Sequence, residues 1–198
     1  LAKYSVTVIV GLLLMILVVY PLIFRIFTKM KYKDFFKGIM PAQMLAFSTS
    51  SSAATLPVTM ERCEDHLGVS EEVSSFVLPL GATINMDGTS LYQAVAAVFI
   101  AQAYGMDLDM GQQLTIVLTA TLASIGAAAV PGAGMVMLVI VLGAIGVPTE
   151  GLALIFGVDR LLDMMRTVVN VTGDATVATV VASTEGQLRE VTEEELMS

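Results

Sequence analysis

From Tyr4 to Phe24 the chain carries no charge, a run of about 20 residues bounded by Lys3 and Arg25. Coiled as an α-helix, such a run matches the roughly 30 Å hydrocarbon core of a bilayer. Lipid offers no partners to backbone amides, so a helix is the form a single spanning segment must take. Residues 1–33 are therefore expected to form a transmembrane helix with a basic end. That end holds Arg25, Lys29, Lys31, Lys33 and Lys37, which by the positive-inside rule faces the cytoplasm.

The remainder of the chain agrees with a membrane setting, since 56% of its 198 residues are hydrophobic and 14% charged. Its net charge of -8 comes largely from Glu61, Glu64, Asp65, Glu71 and Glu72 in one turn and Glu185, Glu190, Glu193, Glu194 and Glu195 in a tail. Neither region resembles the clustered Lys and Arg of a nucleic-acid binder. One cysteine, Cys63, excludes an intrachain disulfide. No secretory signal is recognisable and the first residue is Leu1, so the chain is read as a segment of something longer.

Beyond the first helix the apolar runs are interrupted. Between Lys37 and Arg62 two apolar arms, each too short to span, flank the serine-rich stretch Ser48 to Pro57. Irregular backbone at membrane depth survives where it is buried in protein or lines a wet cavity, which favours a re-entrant hairpin; a polar linker outside the membrane is the alternative. A charged turn follows, and within it the single histidine, His66, is expected to be solvated. Val73 to Tyr104 is a long apolar segment broken by "NMDGT", Asn85 to Thr89. Leu114 to Val147 gives two more short arms around Ala127 to Gly134, where Pro131 removes a donor and Gly132 and Gly134 permit non-helical angles. Gly151 to Ala182 is the last membrane segment, with a polar tail that is expected to fray.

An internal repeat follows from this order. Each hairpin tip, at Ser52 and at Pro131, precedes a long helix with polar residues mid-span, at Asn85 and at Asp163, by nearly the same distance. Such duplication places a transporter's binding site at the repeat interface. The expected fold is an all-α membrane protein with two re-entrant helical hairpins in an inverted repeat. Residues 34–104 form the first hairpin and broken helix, 105–182 the second hairpin and polar-faced last helix, and 183–198 an acidic tail.

On that last helix Asp159, Asp163, Arg166, Asn170 and Asp174 fall within about 80° of one another. Each ionisable group at the centre of a span costs about 2.5 to 3.5 kcal/mol on insertion scales, so the face demands compensation. Arg166 bridging Asp163 and Asp159 in an internal ion-pair network is one reading. The excess of acids favours another, in which Asp174 and Asp87 bind Na+ through hard oxygen ligands. Gly88 is expected to unwind the helix and free carbonyls near Gly81, Thr83 and Asn85; a simple glycine kink is the alternative. The two-pronged guanidinium of Arg166 matches a carboxylate, and Asp163 an ammonium group. Asn170 and Thr167 can then bind a main-chain carboxylate, with backbone amides near Ser52 and Val130 completing the cradle.

The strings "TSSSAATLP", "LPLGATINMDGT", "ASIGAAAVPGAG" and "DRLLDMMRTVVNVTGD" resemble the dicarboxylate/amino acid:cation symporter family of glutamate and aspartate transporters. The resemblance covers nearly the whole chain as that family's C-terminal half. It implies substrate contacts at Ser52, Thr89, Val130, Gly134, Asp163, Arg166, Thr167 and Asn170. It implies one sodium site at Gly81, Asn85, Asn170 and Asp174, a second at Thr83 with carbonyls of Ser124, Ile125 and Ala127, and a third at Asn85 and Asp87. The third is completed in the family by an earlier helix that this sequence lacks. Sodium is thus the implied coupling ion, and an acidic amino acid the cargo.

The same resemblance implies a homotrimer in the plasma membrane, multi-pass and lipid-embedded. Its transport domain moves as an elevator, and its C-terminal tail is cytoplasmic. Two departures stand out. Ala129 occupies a position often glycine, and Ser50 replaces an arginine of some archaeal relatives while Arg160 adds a cation near Asp163. A serine protease would need a base beside the serine run, and His66 is remote in sequence, so no enzyme is expected. An ion channel has little use for the Asp163/Arg166 pair. A proton- or sodium-coupled C4-dicarboxylate symporter is the nearer alternative, although acids at both Asp163 and Asp174 favour sodium and an amino acid.

Overall fold

A computed structural model describes residues 1–192; the acidic tail residues Glu193, Glu194 and Glu195 lie outside the described residues. All regular elements among these are helical, and the only extended pairing is an isolated bridge between Val69 and Leu188. Helix α1 runs unbroken from Ala2 to Phe27, with a π-helical stretch at Met15–Val19, and is long and apolar enough to cross a membrane. It ends where the basic residues begin, as the charge pattern predicts.

Helices α2 (Tyr32–Gly38), α3 (Met40–Thr49) and α4 (Ser52–Glu61) follow. The last two form the first helical hairpin, turning at Ser50 and Ser51. Ser50 adopts the left-handed conformation at φ 53°, and the Ser51 hydroxyl caps α4 by accepting from the Ala54 amide. Few side chains other than glycine and asparagine take that conformation without strain, so the tip is held by its surroundings.

The long apolar segment divides into α5 (Glu71–Ile84) and α6 (Asp87–Ala103). Ser70 caps α5, and Glu71 and Glu72 sit favourably in its first turn. Helix α7 (Met110–Ile125) opens with a reciprocal capping box between Asp109 and Gln112. With α8 (Ala133–Ala144) it makes the second helical hairpin. A 3₁₀ turn at Thr149–Leu154 leads into α9, Phe156–Thr184, the longest single α-helix described.

Helix α9 is the axis of the fold, packed by α1, α3, α4, α5 and α6. Its first half shares a core with Tyr4, Leu12, Tyr92, Ile100, Leu138 and Leu142. Its last turns share a second core with Phe24, Phe35, Ile39, Leu67 and Leu78. Between these two apolar layers lies the stretch from Asp163 to Asp174, where both hairpin tips converge.

The charged turn departs from expectation. Arg62–His66 forms a π-helical stretch, and His66 is buried rather than solvated. The Arg62 guanidinium explains this: Nε donates to the Gly38 carbonyl at 2.6 Å and Nη1 lies 2.7 Å from His66 Nε2. One side chain thus ties the two outer ends of the first hairpin. The beginning of the tail is likewise docked rather than frayed, because Ser70 donates to the Gln187 carbonyl and Arg189 to the Gly68 carbonyl.

Replacing Arg62 with Leu strands the Gly38 carbonyl in a buried site, a loss of about 1–3 kcal/mol. The expected outcome is a thermal midpoint lowered by several degrees in size-exclusion stability assays of the full-length protein, whereas Lys37→Leu, on an exposed side chain, leaves it unchanged.

Candidate functional site

The centre of α9 buries Asp163, Arg166, Thr167, Asn170 and Asp174, each less than 5% exposed. Arg166 donates through Nε and Nη2 to Asp163 Oδ1, at 2.8 and 2.6 Å. The other oxygen of Asp163 accepts from the Gly132 amide at 2.9 Å, so the second hairpin tip is fastened to the ion pair. The guanidinium carbon lies 4.7 Å from the centre of the Tyr92 ring. Arg166 Nη1, although buried, has no partner.

Gly134 explains how a backbone comes so near. A Cβ at this position would sit 1.6 Å from Arg166 Nη1. Gly134 is itself helical, so its glycine is required by close approach, and the left-handed turn belongs to Gly132 at φ 78°. Gln93 secures the same turn by donating to the Gly134 carbonyl at 3.0 Å.

The two tips also touch each other. The Ser51 hydroxyl donates to the Ala129 carbonyl at 2.6 Å, and the Ala53 amide to the same oxygen at 3.4 Å. What remains is a cavity of about 10 Å³, room for a single water at most. It is lined by Ser52, Thr89, Val130, Gly134, Asp163, Arg166, Thr167 and Asn170, all eight residues expected to contact substrate. The Ser50 hydroxyl, also at this cavity, is buried without a partner.

The expected bridge from Arg166 to Asp159 is absent. Asp159 instead accepts from the Tyr92 hydroxyl at 2.5 Å, because that phenol stands between them.

A second polar cluster surrounds the break in the α5–α6 segment. The unwinding falls at Asn85 and Met86, and not at Gly88, which lies in the first turn of α6. Gly88 serves proximity instead: a Cβ there would meet the Arg166 carbonyl at 2.5 Å, so the glycine lets α6 press against α9. Its amide donates to Asn170 Oδ1 at 2.8 Å, and Asn170 Nδ2 donates to Thr89 at 3.0 Å.

Asn85 Nδ2 donates to Asp174 Oδ1 at 2.9 Å, and the Gly81 backbone packs against the same carboxylate. Gly81, Asn85 and Asp174 therefore gather around one small region, while Asn170, one turn before Asp174, spends its amide on Gly88 and Thr89. Asp87 Oδ2 lies 3.0 Å from the Tyr20 hydroxyl, which is also 3.2 Å from the Val169 carbonyl. Tyr20 is absent from the sequence expectations; its only signal is a phenol followed by Pro21 in an otherwise aliphatic run.

The remaining expected ion ligands are less well gathered. Thr83 is exposed and spends its hydroxyl on the Leu80 carbonyl at 2.8 Å. Among the described residues no hydrogen bond joins it to the turn holding Ser124, Ile125 and Ala127. Ser124 and Ile125 line a cavity of about 460 Å³ with Met86, Asp87 and Ser90. No metal-holding cluster of three His, Cys, Asp or Glu side chains occurs among the described residues; the carboxylates at this break are Asp87 and Asp174.

Comparison with known proteins matches residues 1–184 to the model of the sodium:dicarboxylate symporter family. The chain belongs to that family. It is 55% identical over 175 residues to excitatory amino acid transporter 2 of Mus musculus, covering 88% of this chain and 31% of that protein. An excitatory amino acid transporter of Caenorhabditis elegans is 54% identical over 88% of this chain and 35% of its own length. Excitatory amino acid transporter 1 of Homo sapiens is 52% identical, with 88% and 32% covered. The chain thus spans about a third of the length of the curated relatives it matches. The family relation supports a membrane setting, in keeping with the length and apolar character of α1.

The close approach at Gly134 yields a direct test. Gly134→Ala is expected to lever the second tip off Arg166, so that Ala129→Cys in an otherwise cysteine-free full-length protein reacts with a thiol reagent at least tenfold faster. An unchanged labelling rate would mean that the contact does not hold the tip down.

Proposed function

We propose that this chain is the transport core of a sodium-coupled symporter for acidic amino acids, L-aspartate or L-glutamate, working by elevator-type alternating access. The observation that carries the reading is Arg166 Nη1, a buried cationic donor without a partner at the seam of two hairpin tips. A carboxylate supplies the missing acceptor. The paired Asp163 is then released to receive an ammonium group, while Thr167, Asn170 and Thr89 offer hydrogen bonds to the main carboxylate.

Entry requires the α7–α8 tip to lift, breaking the bonds from Gly132 N to Asp163, from Ser51 and Ala53 to the Ala129 carbonyl and from Gln93 to the Gly134 carbonyl. These are single hydrogen bonds, each worth about 1 kcal/mol or somewhat more where charged. That cost is small enough for a gate. The arms α3, α4, α7 and α8 hold 10, 10, 16 and 12 residues, about 15 to 24 Å of helix, each short of the roughly 30 Å a single span needs. This supports re-entrant hairpins in two repeated halves, 34–104 and 105–182.

Sodium is cargo in this scheme. Asn85, Asp87, Asn170 and Asp174 with the Gly81 region offer the hard oxygens it needs, and Tyr20 steadies Asp87. Thr83 with the Ser124, Ile125 and Ala127 carbonyls forms a further ion site once the second hairpin has moved. The basic end of α1 and the end of α9 lie together, since Ser183 donates to the Phe27 carbonyl at 3.1 Å; the tail is then cytoplasmic. Trimer contacts belong to scaffold segments outside this chain, in a plasma-membrane protein.

The family's description as a sodium:dicarboxylate symporter favours one other reading, a C4-dicarboxylate cargo. An enzyme finds no support, because His66 sits at the opposite end of α4 from the serine tip.

Calorimetric titration of L-aspartate into the full-length protein separates these readings. Binding is expected in sodium and not in potassium or choline, with succinate silent. Tight succinate binding would transfer the assignment to the dicarboxylate class. Arg166→Cys is expected to weaken aspartate by roughly 100-fold or more, as for loss of one partner of a buried charge pair, while sodium binding persists. Unchanged aspartate affinity in that variant rejects the role of the guanidinium. Tyr20→Phe should raise the sodium concentration needed for half-maximal aspartate binding by about tenfold, the worth of one hydrogen bond to a charged group.

A further inference from the structure

Five cations, Arg25, Lys29, Lys31, Lys33 and Lys37, follow the end of α1, and all are exposed. Among the described residues none of their side chains makes a hydrogen bond or ion pair. Beside them a groove of about 880 Å³ opens between the α1–α2 connection and the segment after α9. Ile26, Phe27 and Leu188 line it together with Lys29, Lys31 and Arg189, and Arg189 also donates to the Asp65 carbonyl at 3.1 Å. Asp34 and Glu190 are the carboxylates in the lining.

The placement of these groups is ordered along the axis of α1. Val18, Leu22 and Ile26 form an exposed apolar strip on α1, at 54, 59 and 64% exposure, spaced one turn apart and leading into the groove. Apolar wall gives way to lysine ammonium groups just where a spanning helix leaves the hydrocarbon. A soluble anion would have no use for the strip, and an acyl chain none for the lysines. An anionic phospholipid uses both.

We propose that this groove binds the headgroup phosphate of an anionic phospholipid, held by Lys29 and Lys31, with an acyl chain lying along Val18, Leu22 and Ile26. Clusters of basic residues immediately cytoplasmic of a spanning helix attract anionic lipid by this physics. The inference rests on α1 crossing the membrane and not on the identity of the transported solute. Asp34 and Glu190 oppose the lipid and limit its affinity.

The test is native mass spectrometry of the purified full-length protein, counting retained phosphatidylserine against phosphatidylcholine. Wild type is expected to retain phosphatidylserine selectively. Lys29→Gln with Lys31→Gln should lower that retention about fivefold for each lysine removed. Asp34→Asn with Glu190→Gln should raise it, a change of sign that mere damage to the fold does not produce. Sodium-dependent solute binding measured on the same lysine variants reports that the protein is intact, and its loss in wild type would count against the transport reading without touching lipid retention. Equal retention of the two lipids, retention insensitive to the lysine changes, or displacement of the lipid by millimolar inorganic phosphate overturns the proposal.

Discussion

The buried pair of Asp163 and Arg166 organises this molecule. Both lie on α9, three residues apart, and neither reaches solvent. Leaving either charge uncompensated in such a place costs several kcal/mol, and neighbouring elements supply partners to all of it but Arg166 Nη1. Tyr92 gives an aromatic face, Gly132 an amide, and Thr167 hydrogen-bonds the Asp163 backbone. Glycines at 88 and 134 let two other backbones approach the pair. The two hydrophobic cores lie on either side of this layer, which keeps the local dielectric low and the pair strongly coupled.

Much of this arrangement is legible in the sequence because it depends on spacing along one chain. The polar face of α9 follows from helical periodicity, and the two hairpins follow from arms too short to span on either side of small and polar residues. All eight expected substrate residues line one cavity, since the motifs that carry them are the tips and breaks of these elements. The capping box at Asp109 and Gln112 and the serine cap at Ser70 arise from local chemistry of the same kind.

What escapes the sequence depends on contacts between distant segments. His66 stands among acids that suggest solvation, yet Arg62 folds it inward, and no local pattern announces that the partner is a carbonyl at Gly38. Tyr20 meets Asp87 across 67 positions, and a lone phenol in an apolar run is more often packing than polar network. Gly88 and Gly134 suggest unusual backbone angles; both are helical, and their small size matters because another chain segment occupies the space of a Cβ. Sequence marks a glycine as special without saying whether torsion or proximity is the reason. The beginning of the tail departs from expectation for a related reason, since polarity suggests fraying while the backbone at Gln187 and Arg189 finds partners at Ser70 and Gly68.

The closed site also has a thermodynamic meaning. A buried guanidinium nitrogen and the Ser50 hydroxyl both lack acceptors or donors, and each such omission costs about 1–3 kcal/mol. Against this stand the few hydrogen bonds that hold the hairpin tips together, of comparable size in sum. The closed arrangement is therefore nearly balanced by its own unsatisfied groups. On the proposed reading, a solute that satisfies them recovers that energy once the tip has lifted to admit it and settled again. Near balance is what the proposed alternating access would demand, because a ligand shifts a conformational equilibrium only by its differential affinity for the two states.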